Sequence, residues 1–173
     1  MSAPITPFSK VYDEIWNLLE ADVDFTNLFA VGNRIKFNDD ETRDAIKQNV
    51  TTEDLPEVML SVSGAAVNLG NTSSSTRIAQ TYALIVNTGD MRVNRYINAI
   101  NWLFLCKLNS WNTSLSALLW VGETFVKTVR VTSVNTGQSQ QDRNRGIHGW
   151  GAVWNIEVEM LFSKSTQLVY QEP

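Results

Sequence analysis

Two stretches of the chain, 57–88 and 124–163, alternate apolar with polar residues, and each is broken by a polar loop. Alternation sends successive side chains to opposite faces of a strand, so each stretch predicts a long β-hairpin with one face against a core. In the first, Val58, Leu60 and Val62 oppose Glu57, Met59, Ser61 and Ser63. Pro56 cannot donate to a ladder and marks where that strand begins. The run 68–76 is rich in Asn, Ser and Thr and predicts a mobile tip, after which Ile78, Tyr82, Leu84 and Val86 carry the return strand. In the second stretch Val129 and Val131 alternate with Thr128, Arg130 and Thr132, while Trp154, Ile156, Val158, Met160 and Phe162 alternate with Asn155, Glu157 and Glu159. Between them, 135–149 is almost without apolar residues and predicts a long tip that cannot fold onto its own core.

The segment 91–108 has a helical period instead. Val93, Ile97, Ile100, Phe104 and Leu108 make one stripe, Tyr96, Trp102 and Leu103 widen it, and Asp90 stands where an N-cap belongs. This helix is expected to cover the sheet. Near the start, Thr6 predicts an N-cap and Pro7 the first helical position, with Val11, Ile15, Leu18 and Leu19 on one face. Asp24 is expected to cap a short second turn carrying Phe25, Leu28 and Phe29, ended by Gly32 in the left-handed conformation. A short strand follows at 33–37, then a polar, acid-rich surface excursion at 38–54, a candidate contact loop. The run 109–120 fits either a loop or a short helix with Leu115, Leu118 and Leu119 inward. Together these elements predict an α+β fold: a mostly antiparallel sheet built from two long β-hairpins, packed against a central helix and an N-terminal helix. A single domain spans 1–173, with long loops at 38–54, 68–76 and 135–149 and a short tail at 164–173, a candidate arm that orders on a neighbouring subunit.

Composition narrows the function. At 173 residues the chain is long enough to bury a core without disulfides or metal. A net charge of −4 argues against a general nucleic-acid binder, which needs a basic stripe to displace counterions from phosphates. Cys106 is the lone cysteine and lies in the apolar run 102–106, which predicts a packing role and suits a reducing cytoplasm. That run is far short of a bilayer span, and the first ten residues lack the order of a secretory signal, so a soluble, unsecreted protein with no membrane partner is expected.

No catalytic set stands out. His148 is the only histidine, in a glycine-flanked loop distant in sequence from Cys106, and one histidine with one cysteine cannot supply the usual zinc ligands. Asp39, Asp40 and Glu41 cluster without the spaced oxygens and turn glycine of a calcium loop, and read as a solvated acidic run. The 88–90 turn lacks the further glycines and lysine of a phosphate loop. No catalytic residue, metal or cofactor is therefore expected. The candidate contacts to a partner or to a lumen are Gln138, Gln140, Arg143 and Arg145 in the long tip, Lys127 and Arg130 on the adjacent strand, and Asp39 and Asp40 in the excursion. A phosphate backbone is one candidate for the basic residues, but a protein contact is preferred because the chain as a whole is acidic. The tryptophans Trp102, Trp150 and Trp154 lie in helix or strand patterns and read as core or subunit-interface anchors rather than ligand stackers.

The order of these pieces resembles the tail terminator proteins, also called tail completion or head–tail joining proteins, of long-tailed bacteriophages. The resemblance is carried by the opening helix at 11–20, the Leu28-Phe29 turn, the strand at 33–37, the Leu55-Pro56-Glu57 step into a strand, the return strand at 80–86, the long helix and the closing hairpin ending near Phe162. It covers roughly 8–163 and consists of hydrophobic patterns rather than signature residues; the long loops 38–54 and 135–149 depart from it. What it implies is a virion protein, made in the host cytoplasm, that forms a homo-oligomeric ring, a hexamer, on the last ring of the tail tube protein. Such a ring stops tube growth and offers its other face to a head–tail connector or stopper protein in the neck, with DNA passing through the lumen. Competing readings are another neck protein such as a head-closure stopper, a tail tube subunit, and, from another class, a small enzyme with an unrecognised site. Strands 57–63 and 154–162 are expected to carry the sheet between subunits.

Overall fold

The computed structural model describes residues 5–36, 55–88, 93–137 and 151–164. Helix α1 (Pro7–Glu20) begins as its sequence dictates: the Thr6 hydroxyl accepts from the Ser9 N–H at 3.1 Å, and Ser9 Oγ accepts from the Thr6 N–H at 2.9 Å. That reciprocal pair satisfies two otherwise orphaned donors. Val11, Tyr12, Ile15, Trp16 and Leu19 form the buried face.

Helix α2 (Val23–Leu28) corrects the sequence reading twice. Its cap is Asp22, not Asp24: Asp22 Oδ1 accepts from the N–H groups of Asp24 at 2.9 Å and Phe25 at 3.1 Å. Asp24 lies inside the first turn, where its charge suits the helix dipole. Gly32 does not terminate the helix in the left-handed region either. Extended backbone at Phe29 ends it, and Gly32 sits within a 3-10 turn, Val31–Asn33. Strand β1 (Arg34–Lys36) starts one residue later than the expected 33–37, since Asn33 belongs to the 3-10 turn, and position 37 lies outside the described residues.

The sheet contains β1, β2 (Glu57–Val62), β3 (Val67–Asn71), β4 (Ser75–Asn87), β7 (Val126–Gly137) and β8 (Gly151–Ser163). Its order is β1-β2-β4-β8-β7, with β3 pairing β4 beyond the end of β2. Every pair is antiparallel except β1 with β2. The two predicted hairpins are joined through β4 and β8, which pair along their whole length from Ser75↔Ser163 to Asn87↔Gly151. This is the α+β architecture the alternation predicts.

Helix α3 (Val93–Ser116) resolves the ambiguous 109–120 run as mostly helix, burying Trp111 and Leu115 and leaving Leu119 exposed. Strands β5 (Leu119–Trp120) and β6 (Glu123–Thr124) then form a small hairpin whose turn residues, Val121 and Gly122, have φ of 51° and 80°. Both helices cover one face of the sheet. The Tyr12 hydroxyl donates to the Leu60 carbonyl at 2.5 Å, Tyr82 donates to Phe8 O at 2.9 Å, and the Trp154 indole donates to Asn101 Oδ1 at 2.9 Å. Beneath them Val58, Leu60, Tyr82, Leu84, Val86, Trp154, Ile156, Val158 and Met160 form the core, closed at one end by Phe125 stacked on Phe162 at 5.6 Å. Burying this alternate set from central strands is what holds the sheet to its helices.

Four expectations fail here for packing reasons. Val62 continues the Val58–Leu60 pattern but lies at the strand's end, where it is 47% exposed. The 68–76 stretch is not simply a tip: its first part belongs to β3, leaving 72–74 as the turn. Trp102 is 64% exposed and Cys106 is exposed rather than packed. Trp102 lies about 200° around the helix from Ile100, off the buried stripe, at 100° per residue. Finally, 57–63 and 154–162 are not the free edges expected for a sheet shared with a neighbour: β8 lies between β4 and β7, and β2 has β4 on one side and, over Val58–Leu60, β1 on the other.

Candidate interaction surface

Of the residues singled out in the sequence, Lys127 and Arg130 fall on β7, where both side chains are exposed. Gln138, Gln140, Arg143, Arg145, Asp39 and Asp40 lie outside the described residues, as do Asp90, His148 and Trp150. The predicted long tip is shorter than 135–149, since Asn135, Thr136 and Gly137 still pair with Val153, Ala152 and Gly151.

Arg130 is not poised for a phosphate. It forms an ion pair with Glu157 across the β7–β8 ladder, its Nε donating to Oε1 at 2.6 Å. On the next strand over, Arg77 Nε donates to Glu159 Oε1 at 2.6 Å. The two pairs form a charged stripe across β4, β8 and β7 on the face away from the helices. The Arg77 hydrogen bond holds the Glu159 carboxyl below its ordinary value against the opposing effect of desolvation, and Glu159 in turn raises Arg77. Each guanidinium is already neutralised locally, which weakens the case for DNA contact at this stripe.

At the sheet's margins β7, β3 and the short β1 each pair on one side only among the described residues. The two longer ones differ. β7 carries Lys127 and Arg130 and is interrupted by two register shifts, at 126–128 and 131–133, features that blunt an edge against casual pairing. β3 carries Val67-Asn68-Leu69-Gly70-Asn71, with no charge; it too has a register shift, at 68–70, where the Gly70 N–H donates to Asn68 Oδ1 at 2.9 Å, and every one of its residues is exposed. Val67 is 60% and Leu69 46% exposed. Sequence reasoning missed this edge because Gly70 and the Ser/Thr run after it read as a loop; the Val67, Leu69 alternation was the available signal.

A third exposed apolar feature is the outer ridge of α3, where Trp102 and Leu105, 74% exposed, lie one turn apart. No protein-family model matches the chain, and no curated protein matches it either. Among the described residues no group of three or more His, Cys, Asp or Glu side chains is placed to hold a metal ion, and no helix is long and apolar enough to cross a membrane. What the arrangement offers chemically is binding: open backbone donors and acceptors along the half-paired strands β1, β3 and β7, exposed apolar side chains on β3, and fixed charge on the sheet's free face.

Proposed function

We propose that this chain is a structural protein of a tailed bacteriophage virion, a tail terminator whose ring caps the tail tube and joins it to the head connector. The observation that carries the reading is that strands on opposite sides of the sheet, β1 and β3 on one and β7 on the other, pair on one side only among the described residues. Two different open edges on one subunit favour head-to-tail association, and such contacts close into a ring when the rotation between copies allows. The element order that resembles tail terminators supports the same reading, from the capped α1 through the long α3 to the closing β7–β8 hairpin.

Function then follows without a chemical step. One face of the ring binds the terminal tube subunits and ends polymerisation, and the other presents a docking surface for a connector or stopper protein. The ion-paired stripe Arg77–Glu159 and Arg130–Glu157 fixes the local charge of the sheet, so a protein face is a better partner for it than a bare phosphate backbone. Electron microscopy of the purified chain, alone and mixed with tube ends, tests the proposal. Discrete rings, free or seated on tube ends, are expected. Long filaments would make it a tube subunit, and no binding to tubes with no ring would remove the terminator reading.

A further inference from the structure

We infer that the groove between α2 and the first turns of α3 is a binding site for a carboxylate carried on an apolar body, a use that stands whether or not the chain forms a ring. A cavity of about 440 Å³ opens there, lined among the described residues by Leu28, Arg95, Tyr96 and Ala99. That volume is within the range of small-ligand sites. Local geometry explains the opening. Helix α2 stops after six residues and the chain turns away through Val31–Asn33, so α2 covers only part of the 24-residue α3. On α3, Ala99 stands four residues from Arg95 and three from Tyr96, the spacings that bring side chains to one side of a helix. Ala99 offers only a methyl group, which leaves the space between them open.

The two larger side chains on α3 lack partners. Of the four described arginines, Arg34, Arg77 and Arg130 are each ion-paired with a glutamate. Arg95 is the exception: it is exposed and makes no hydrogen bond or ion pair among the described residues. Tyr96 is half-buried, its ring held against Phe29 at 5.6 Å and Phe29 in turn against Phe25 at 5.3 Å. Its hydroxyl has no hydrogen-bond partner among the described residues, whereas those of Tyr12 and Tyr82 both donate to carbonyls. The acids of α2 and its cap do not answer Arg95. Asp22 caps α2 and pairs with Lys107 at 3.5 Å, and Asp24, one turn before Leu28, does not line the cavity.

Two open donors set against aliphatic walls fit an anion with an apolar flank. A guanidinium fork matches a carboxylate edge to edge, and the positive end of α3, with no acid in its first turn, adds to the attraction. A phosphate fits less well, because one guanidinium leaves much of its charge unmet beside Leu28 and Ala99.

Titration of the full-length chain with phenylacetate, followed by amide NMR at 28, 95, 96 and 99, tests the inference. Shifts at these positions should saturate with a Kd of about 1–10 mM, as suits a small fragment. Phenylacetamide, which keeps the shape and loses the charge, should bind about tenfold more weakly. Arg95→Gln, folded because Arg95 is exposed and unpaired, should weaken phenylacetate to the same extent. Ala99→Leu, which fills the cavity and leaves the guanidinium in place, should abolish binding. The inference is overturned by the absence of a saturable shift, by unchanged binding in Arg95→Gln, or by inorganic phosphate binding more tightly than phenylacetate. N-acetyl-phenylalanine separates the sources of such a group: binding at least about tenfold tighter than phenylacetate assigns the site to the C-terminal residue of a partner chain, and a smaller gain or none assigns it to a small free acid. The ring reading is decided by microscopy alone, so either can fail without the other.

Discussion

From Tyr82 to Val86, β4 lies between β2 and β8, and Tyr82, Leu84 and Val86 are fully buried beneath the helices. From Thr76 to Ala79 the same strand pairs just as regularly with β8 but has β3 on its other side, with every β3 residue exposed. Both halves satisfy their ladders, so hydrogen bonding does not distinguish them. Apolar burial does: the first region is held by α1 and α3, whereas the second offers an edge that contributes little to stability and remains open for contacts. Cost of mutation and consequence for assembly should therefore separate between the covered strands and the β3 edge beside them.

The largest effects belong to the covered half. Leu84→Ala should cost about 2–5 kcal/mol, and Trp154→Ala about 3–5 kcal/mol because it also removes the indole bond to Asn101. Urea denaturation measures both, and a Leu84→Ala cost below that of Val67→Ala would break the comparison. Next, Tyr82→Phe deletes the hydroxyl donated to Phe8 O and should cost about 1–2 kcal/mol at neutral pH. Burial raises the Tyr82 phenol above its ordinary value of 10.0. The neutral form is thus favoured in the fold: its contribution is fully present below pH 10.0 and is lost as pH rises towards the folded-state value. Denaturation profiles from pH 8 to 11 should fall more steeply for the wild type than for Tyr82→Phe.

A gain of similar size is expected in the β5–β6 turn. Val121 is a β-branched residue held at φ 51°, which costs about 1–2 kcal/mol. Val121→Asn, a residue that tolerates this region, should raise the melting temperature; a fall would mean the Val121 side chain, not its backbone, decides the turn. The smallest stability effect is the sharpest test of the contrast. Val67→Lys with Leu69→Lys should change stability by less than about 0.5 kcal/mol, as exposed substitutions do, while impairing assembly. A loss of several kcal/mol would show the β3 margin to be part of the fold's support.

Much of the covered region was legible in the sequence because burial on central strands leaves a period-two record, as Trp154 through Phe162 do, and because Thr6-Pro7 with Ser9 writes a helix start. Where positions carry no packing constraint the record fades. β3 was hidden by its glycine and polar neighbours, and Asp22 and Asp24 are chemically equivalent as caps, so only backbone geometry separates them. Trp102 and Cys106 misled because apolar character was taken for burial, although their angular position places them off the stripe. The candidate contacts were legible only in part: Lys127 and Arg130 are surface residues of β7, but the acids that neutralise Arg130 and Arg77 come from β8, a register no local pattern reveals.

The central claim, that the chain acts as a terminating ring, is tested most directly by electron microscopy of assembled particles carrying a label on this chain. Label confined to one ring between tail tube and head is the predicted result. Label repeated along the tail, or absent from the particles, would contradict it.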